Sequence, residues 1–250
     1  KRNVMEQKQS FMDSLSPMQI FVFGIVEGIL VLCTIFFFIL LPGYLNGDTA
    51  PARDNAPSVV LPADNNAPSA PVAINLAEVD EKKDHIRGDK DAKITIVEYS
   101  DIECPFCSKF HATMNQVMDE FDGDVRWVYR HFPLSFHPNA KPAALAAECA
   151  GDQGKFWEFL DLAIERQQSG IDTAGLKKIA AEVGLNTAKY ETCVQKQTFA
   201  SKLADDTASG SRAGANGTPY SVIVGPNGDK LPINGALPFE NVKPMIEQFL

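Results

Sequence analysis

Apolar and polar positions divide the chain into three stretches. From Ile20 to Leu41 the residues are almost uniformly apolar. About 20 such residues span the hydrocarbon of a bilayer, so this run predicts one transmembrane helix over 20–41. Lys1, Arg2 and Lys8 precede it, which predicts a short cytoplasmic segment over 1–19. Cleaved leaders carry only ~7–15 apolar residues, and the small-x-small tripeptide Ala50-Pro51-Ala52 lies well past the run. The expectation is therefore an uncleaved anchor. Within it, Gly24 and Gly28 have a spacing that lets membrane helices approach, Glu27 is costly away from the interface, and Cys33 lacks the small residues that would precede a lipid-attachment site.

Residues 42–73 have no apolar period. Pro, Ala, Asn and Asp dominate, as in DTAPARDNAPSVVLPADNNAPSAP at 48–71, a composition that predicts a disordered, partly extended linker.

Regular patterning begins near Ile74 and predicts a folded domain over 74–250. Ile94–Tyr99 is a β-branched apolar run and reads as a buried strand. Phe106–Phe121 has helical periodicity, and Asp124–Phe132 alternates like a second strand. Residues 138–213 are rich in Ala, Leu, Lys and Glu and read as a block of helices, broken at 152–154, 169–170 and Gly184. Pro219–Val224 is strand-like again. Gly225-Pro226-Asn227-Gly228 predicts a turn, Lys230–Asn234 a return strand, and Pro238–Leu250 a closing helix. The order is β-α-β, a helical insertion, then β-β-α.

At 250 residues the chain suits one domain with an appendage. A formal net charge of −9 repels phosphates and argues against nucleic acid as a partner. The five cysteines, Cys33, Cys104, Cys107, Cys149 and Cys193, are too few for a disulfide scaffold.

Cys104-Pro105-Phe106-Cys107 stands where a strand ends and a helix opens. Two cysteines three apart can close a small disulfide ring. The first sits at a helix N-terminus, where unpaired N–H groups and the dipole favour an anion. A thiolate there has a lowered pKa and is both a good nucleophile and a good leaving group. Pro105 fits the first turn, where its missing N–H goes unused. Cys107 lies deeper and resolves a mixed disulfide from within. The competing reading is half of a zinc site, which commonly takes a second Cys or His pair. The sequence has no second C-x-x-C. Redox chemistry is favoured, with no cofactor beyond the cysteine pair.

The segment Glu98 to Cys107 (EYSDIECPFC) resembles the active-site junction of the DsbA-like thioredoxin family. Asp84–Gly88 is similar to the family's lead-in, Arg130–Leu134 to the end of its second strand, and Gly217-Thr218-Pro219 to its cis-proline loop. The resemblance runs from about His85 to Leu250. It implies a thioredoxin-like α/β fold and thiol–disulfide exchange, with Cys104 attacking and Cys107 resolving. It also implies a cis Pro219 packed on the disulfide, Thr218 offering backbone hydrogen bonds to a substrate strand, and Glu98 as a buried acid that takes the proton of Cys107. Implied partners are unfolded or extended cysteine-bearing exported proteins and a DsbB- or VKOR-like membrane reoxidant. The implied location is a bacterial cytoplasmic membrane, with the domain facing the periplasm or exterior. Phe106 departs from the family's best-known oxidases, which carry His there to stabilise the thiolate.

Cys149 and Cys193 fall in the insertion. Outside the cytoplasm they would tend to pair; the other reading is two buried thiols acting as small hydrophobes. His111, one turn beyond Cys107, is expected on the surface. His131 and His137 flank Phe132-Pro133-Leu134, where they could ligate metal or line a groove. Asn216-Gly217-Thr218 matches a glycosylation sequon, but a glycan there would block a site beneath Pro219. Two further functions stay open: a reductase or isomerase using the same cysteines, and a copper-binding module using Cys104, Cys107 and a histidine.

Overall fold

The computed structural model describes residues 74–250, together with Thr34. The anchor expected over 20–41, the segment 1–19 and the linker 42–73 lie outside the described residues. Among the described residues, no helix is long and apolar enough to cross a membrane.

Five strands form a mixed sheet: β1 (His85–Gly88), β2 (Ile94–Ser100), β3 (Val125–His131), β4 (Tyr220–Val224) and β5 (Lys230–Asn234), in spatial order β1-β3-β2-β4-β5. β2 and β3 run parallel, joined across the sheet by α1 (Pro105–Glu120). The other neighbours are antiparallel. β2 is buried along its whole length, which explains its unbroken ITIVEYS: a central strand covered on both faces needs no polar side. β5 lies at an edge, where Pro232 costs no ladder bond.

The insertion comprises α2 (Ala140–Gly151), α3 (Phe156–Glu165), α4 (Thr173–Glu182), α5 (Thr187–Gln195) and α6 (Ala200–Ala213); α7 (Phe239–Glu247) closes the domain. Asp172 and Asn186 cap α4 and α5 by accepting from Gly175 N and Lys189 N, satisfying N–H groups that a helix start leaves free. Ile94, Ile96, Trp127 and Tyr129 point to one face of the sheet, where α1, α2, α3 and α7 pack in the larger core. Val97, Tyr99, Val128 and Val222 point to the other face, against Ala213 of α6. Gly210 of α6 lets that helix close in: a Cβ there would come within 2.8 Å of the Tyr99 and Phe132 rings.

Two expectations need correction. The sequence order began with a single strand before the cysteine helix, but β1 precedes it as an edge strand paired with β3. His111 is buried, not on the surface. Its ring lies 5.1 Å from that of Trp127, and its Nε2 is 2.9 Å from Asp161 Oδ1. A helix covered by β3 and α3 leaves no wet face at that position.

Candidate active site

The parallel pair β2–β3 ends at the residues that carry the chemistry. β2 stops at Ser100, the chain turns through Asp101–Glu103, and Cys104 is the N-cap of α1. No side chain caps this helix start, so its free N–H groups are available to the Cys104 sulfur. Pro105 occupies the first turn. Cys107 is fully buried and Cys104 nearly so, while Phe106 between them is 59% exposed with the Lys109 ammonium 5.4 Å from its ring centre.

Both thiols are free, and their environments differ. Cys104 Sγ donates to Thr218 O at 3.5 Å. Asp101 N donates to Cys107 Sγ at 3.4 Å. The Cys107 thiol donating to the Cys104 sulfur, aided by the N–H groups of Cys107 and Phe106 and by Thr218, lowers the Cys104 pKa to about 5 against the pull of burial. Burial pushes the Cys107 thiol well above the usual range, and the neighbouring Cys104 and Glu98 push the same way. One thiol is thus ionised at neutral pH while its neighbour holds its proton.

Thr218 and Pro219 lead into β4, and the peptide bond between them is cis. Glu98 lies on β2 between Tyr129 of β3 and Ser221 of β4. It is 1% exposed, and neither carboxyl oxygen has a hydrogen-bond partner among the described residues. Burial raises its pKa to about 7, with the Ser100 hydroxyl and Trp127 indole only partly opposing.

His131 and His137 do not turn toward the thiols. His131 Nε2 lies 3.1 Å from Glu148 Oε1, poorly aligned for a hydrogen bond. His137 Nδ1 pairs with Asp101 Oδ2 at 2.8 Å. Cys149 and Cys193 form a disulfide between α2 and α5 with Cα atoms 5.8 Å apart.

Several residues around the cysteine turn carried no sequence signal. Asp101 is buried, and its carboxylate accepts from Glu103 N, Leu134 N and His137. Glu103 accepts from the main-chain and side-chain nitrogens of Asn139. Gln167, in the insertion, donates to the carbonyls of Ile102 and Cys104. Only the acidic pair flanking Ile102 could have hinted at this, by offering acceptors beside a turn.

A thioredoxin family model matches residues 80–248. The chain belongs to the thioredoxin family. Its domain has the DsbA-like form of that fold, with the helical insertion between β3 and β4. It is similar to a thioredoxin-like oxidoreductase from Silicibacter pomeroyi, at 27% identity and a TM-score of 0.60, covering 67% of this chain and 92% of that one. It is also similar to Pseudomonas aeruginosa DsbA2, at 26% identity and a TM-score of 0.56, covering 67% and 94%. Among the curated relatives it matches are Na+/H+ antiporters. NhaA 1 of Salinispora arenicola is 35% identical over 151 residues, which is 60% of this thioredoxin-family chain but 23% of the antiporter. The match thus spans about a quarter of those relatives. A contiguous stretch of that length in this chain must include Cys104 and Cys107.

Proposed function

We propose that this thioredoxin-family protein is an extracytoplasmic thiol–disulfide oxidoreductase that forms disulfide bonds in exported proteins. The observation that carries the reading is the inequality of the two thiols: Cys104 ionises near pH 5 while the Cys107 thiol is held well above its usual range. Starting from the Cys104–Cys107 disulfide, a client thiolate attacks Cys104 Sγ. The S–S bond breaks, and Cys107 leaves with the electron pair and takes a proton. Glu98, with a pKa of about 7, is suited to supply it. A second client thiolate then attacks the client sulfur of the mixed disulfide and expels Cys104 as a stable thiolate. The client loses two electrons, and the protein becomes the dithiol seen in this structure. A DsbB- or VKOR-like membrane protein would accept those electrons and restore the disulfide.

Clients would be unfolded or extended cysteine-bearing chains lying along the Thr218–Pro219 edge. The run 20–41 would hold the domain at the outer face of a bacterial cytoplasmic membrane. A copper site is less well supported, because His131 and His137 are both engaged by carboxylates.

The test is the equilibrium reduction potential of the Cys104–Cys107 pair in glutathione buffers. Stabilising the Cys104 thiolate stabilises the reduced form, so a value toward the ~−120 mV of strong oxidants is expected. A value near the ~−270 mV of thioredoxin would overturn the oxidase direction and make this a reductase.

A further inference from the structure

The main chain just ahead of the nucleophile turns tightly, with Cys104 N donating to Asp101 O at 3.1 Å. One side-chain amide answers two carbonyls of that turn. Gln167 Nε2 lies 2.6 Å from Ile102 O and 3.0 Å from Cys104 O. Gln167 belongs neither to the sheet nor to α1. It sits just after α3 in the helical insertion, 63 residues beyond Cys104. Its own segment is pinned: the Arg166 guanidinium forks onto the Glu182 carboxylate of α4 at 2.7 Å twice, and Ser169 N and Gly170 N both donate to Arg166 O.

This contact bears on the nucleophile. The stability of the Cys104 thiolate depends on the sulfur staying within reach of the Cys107 thiol and over the N–H groups of Cys107 and Phe106. That placement depends on the backbone of Cys104, whose φ of −75° and ψ of 121° set the N-cap. Without Gln167, Ile102 O loses its donor and Cys104 O is left with Ser108 N alone, at 3.2 Å; a carbonyl deprived of a donor in a partly buried site seeks another one, and a tilt of the Cys104 peptide turns that same ψ. An unanswered Ile102 oxygen also adds negative potential to the turn that carries the thiolate.

We propose that Gln167 is a positioning residue for Cys104, through which the helical insertion holds the redox turn in its attacking geometry. The proposal rests on the reading of Cys104 as the attacking thiol.

The experiment measures the pH dependence of iodoacetamide alkylation on the full chain in its dithiol state, with the modified cysteine identified by mass spectrometry. Gln167→Met keeps the side-chain volume and removes both N–H donors; it should slow Cys104 alkylation at mildly acidic pH by about fivefold, the factor equivalent to one net hydrogen bond lost from the turn that positions the thiolate. Gln167→Glu places acceptors against two carbonyls and should slow it further. Gln167→Asn, one methylene shorter, folds most conservatively and should fall between wild type and Met. A purely structural role would lower the melting temperature without moving this pH profile. Profiles that coincide with wild type in all three variants, with Cys104 still modified first, would overturn the Gln167 role alone. Wild-type protein in which Cys107 is modified first would overturn both this proposal and the active-site reading beneath it.

Discussion

Glu98 and Glu148 are both buried carboxyl groups, and the fold pushes them in opposite directions. Glu98 has no cation beside it, so burial prevails and its pKa rises to about 7. Between the unfolded value of 4.5 and about 7, the folded state keeps a proton that the unfolded state releases. Stability therefore falls as pH rises through that window, by about 3 kcal/mol in all. Glu98→Gln should abolish that slope: urea unfolding of wild type and variant should diverge between pH 4.5 and pH 7.5, with the variant gaining at the alkaline end. Glu148 is opposed by burial as well, but His131 and His85 beside it outweigh that and hold its carboxyl well below the usual range. Lys202 Nζ adds a contact at 3.0 Å. Its contribution is present above the unfolded carboxylate value and is lost as pH falls. Glu148→Gln leaves Lys202, which still pairs with Asp206, and the imidazoles of His85 and His131 without their carboxylate. It should cost about 1–3 kcal/mol at pH 7, as leaving buried polar partners unanswered typically does, and chemical denaturation would measure it. The redox cysteines were legible from their spacing, because the chemistry demands adjacency along one helix. The Glu148 cluster was not: His85 lies 63 residues away in sequence, and no local pattern encodes such a meeting.

Among the elements, those with a strong period were the readable ones. β2, β3, α1, β4, β5 and α7 fall within a few residues of where apolar spacing and turn residues put them. β1 escaped because it is four residues long, pairs on one side only, and carries His85 and Arg87 beside Ile86 at its partly buried positions, with Gly88 exposed. The break between α5 and α6 escaped because no Gly or Pro marks it. Gln197 makes the turn with φ of 48°, a conformation that side chains other than Gly and Asn rarely adopt. The disulfide joins α2 to α5 across 44 residues, and pairing was one of two readings the sequence allowed. Replacing Cys149 and Cys193 together with Ala should cost about 4 kcal/mol by the loop-entropy estimate, seen as a lower urea midpoint. Cys104 alkylation in the folded variant should be unchanged, since the bond lies in the insertion and not at the redox turn.

At the scale of the whole molecule, the described domain is a DsbA-like thioredoxin fold, and the first 73 residues carry a proposal about place. If 20–41 anchors the chain, full-length protein should remain with membranes through a carbonate wash, and deletion of 1–41 should release a domain with unchanged reduction potential. Release of the full chain by carbonate would remove the anchor from the proposal. A flexible linker of the length expected over 42–73 gives a root-mean-square reach of roughly 30 Å. That distance would let the domain meet both clients in solution and a reoxidant in the bilayer. Fold and chemistry could be read together here because the cysteine helix, the parallel strand pair and the proline loop recur as a unit. The fine positioning around them could not, because it is built from side chains such as Asp101 and Gln167 that are common in any sequence.

The Cys149–Cys193 bond has one more consequence. If the protein makes disulfides as proposed, then, being itself held by one, it belongs among its own substrates. A newly made copy needs an oxidant before its insertion reaches full stability, and an older copy is a ready source. Its population would then mature autocatalytically: slowly when the first molecules emerge, faster as finished ones accumulate, and stalled wherever the surroundings reduce Cys149 and Cys193 faster than its peers can reseal them.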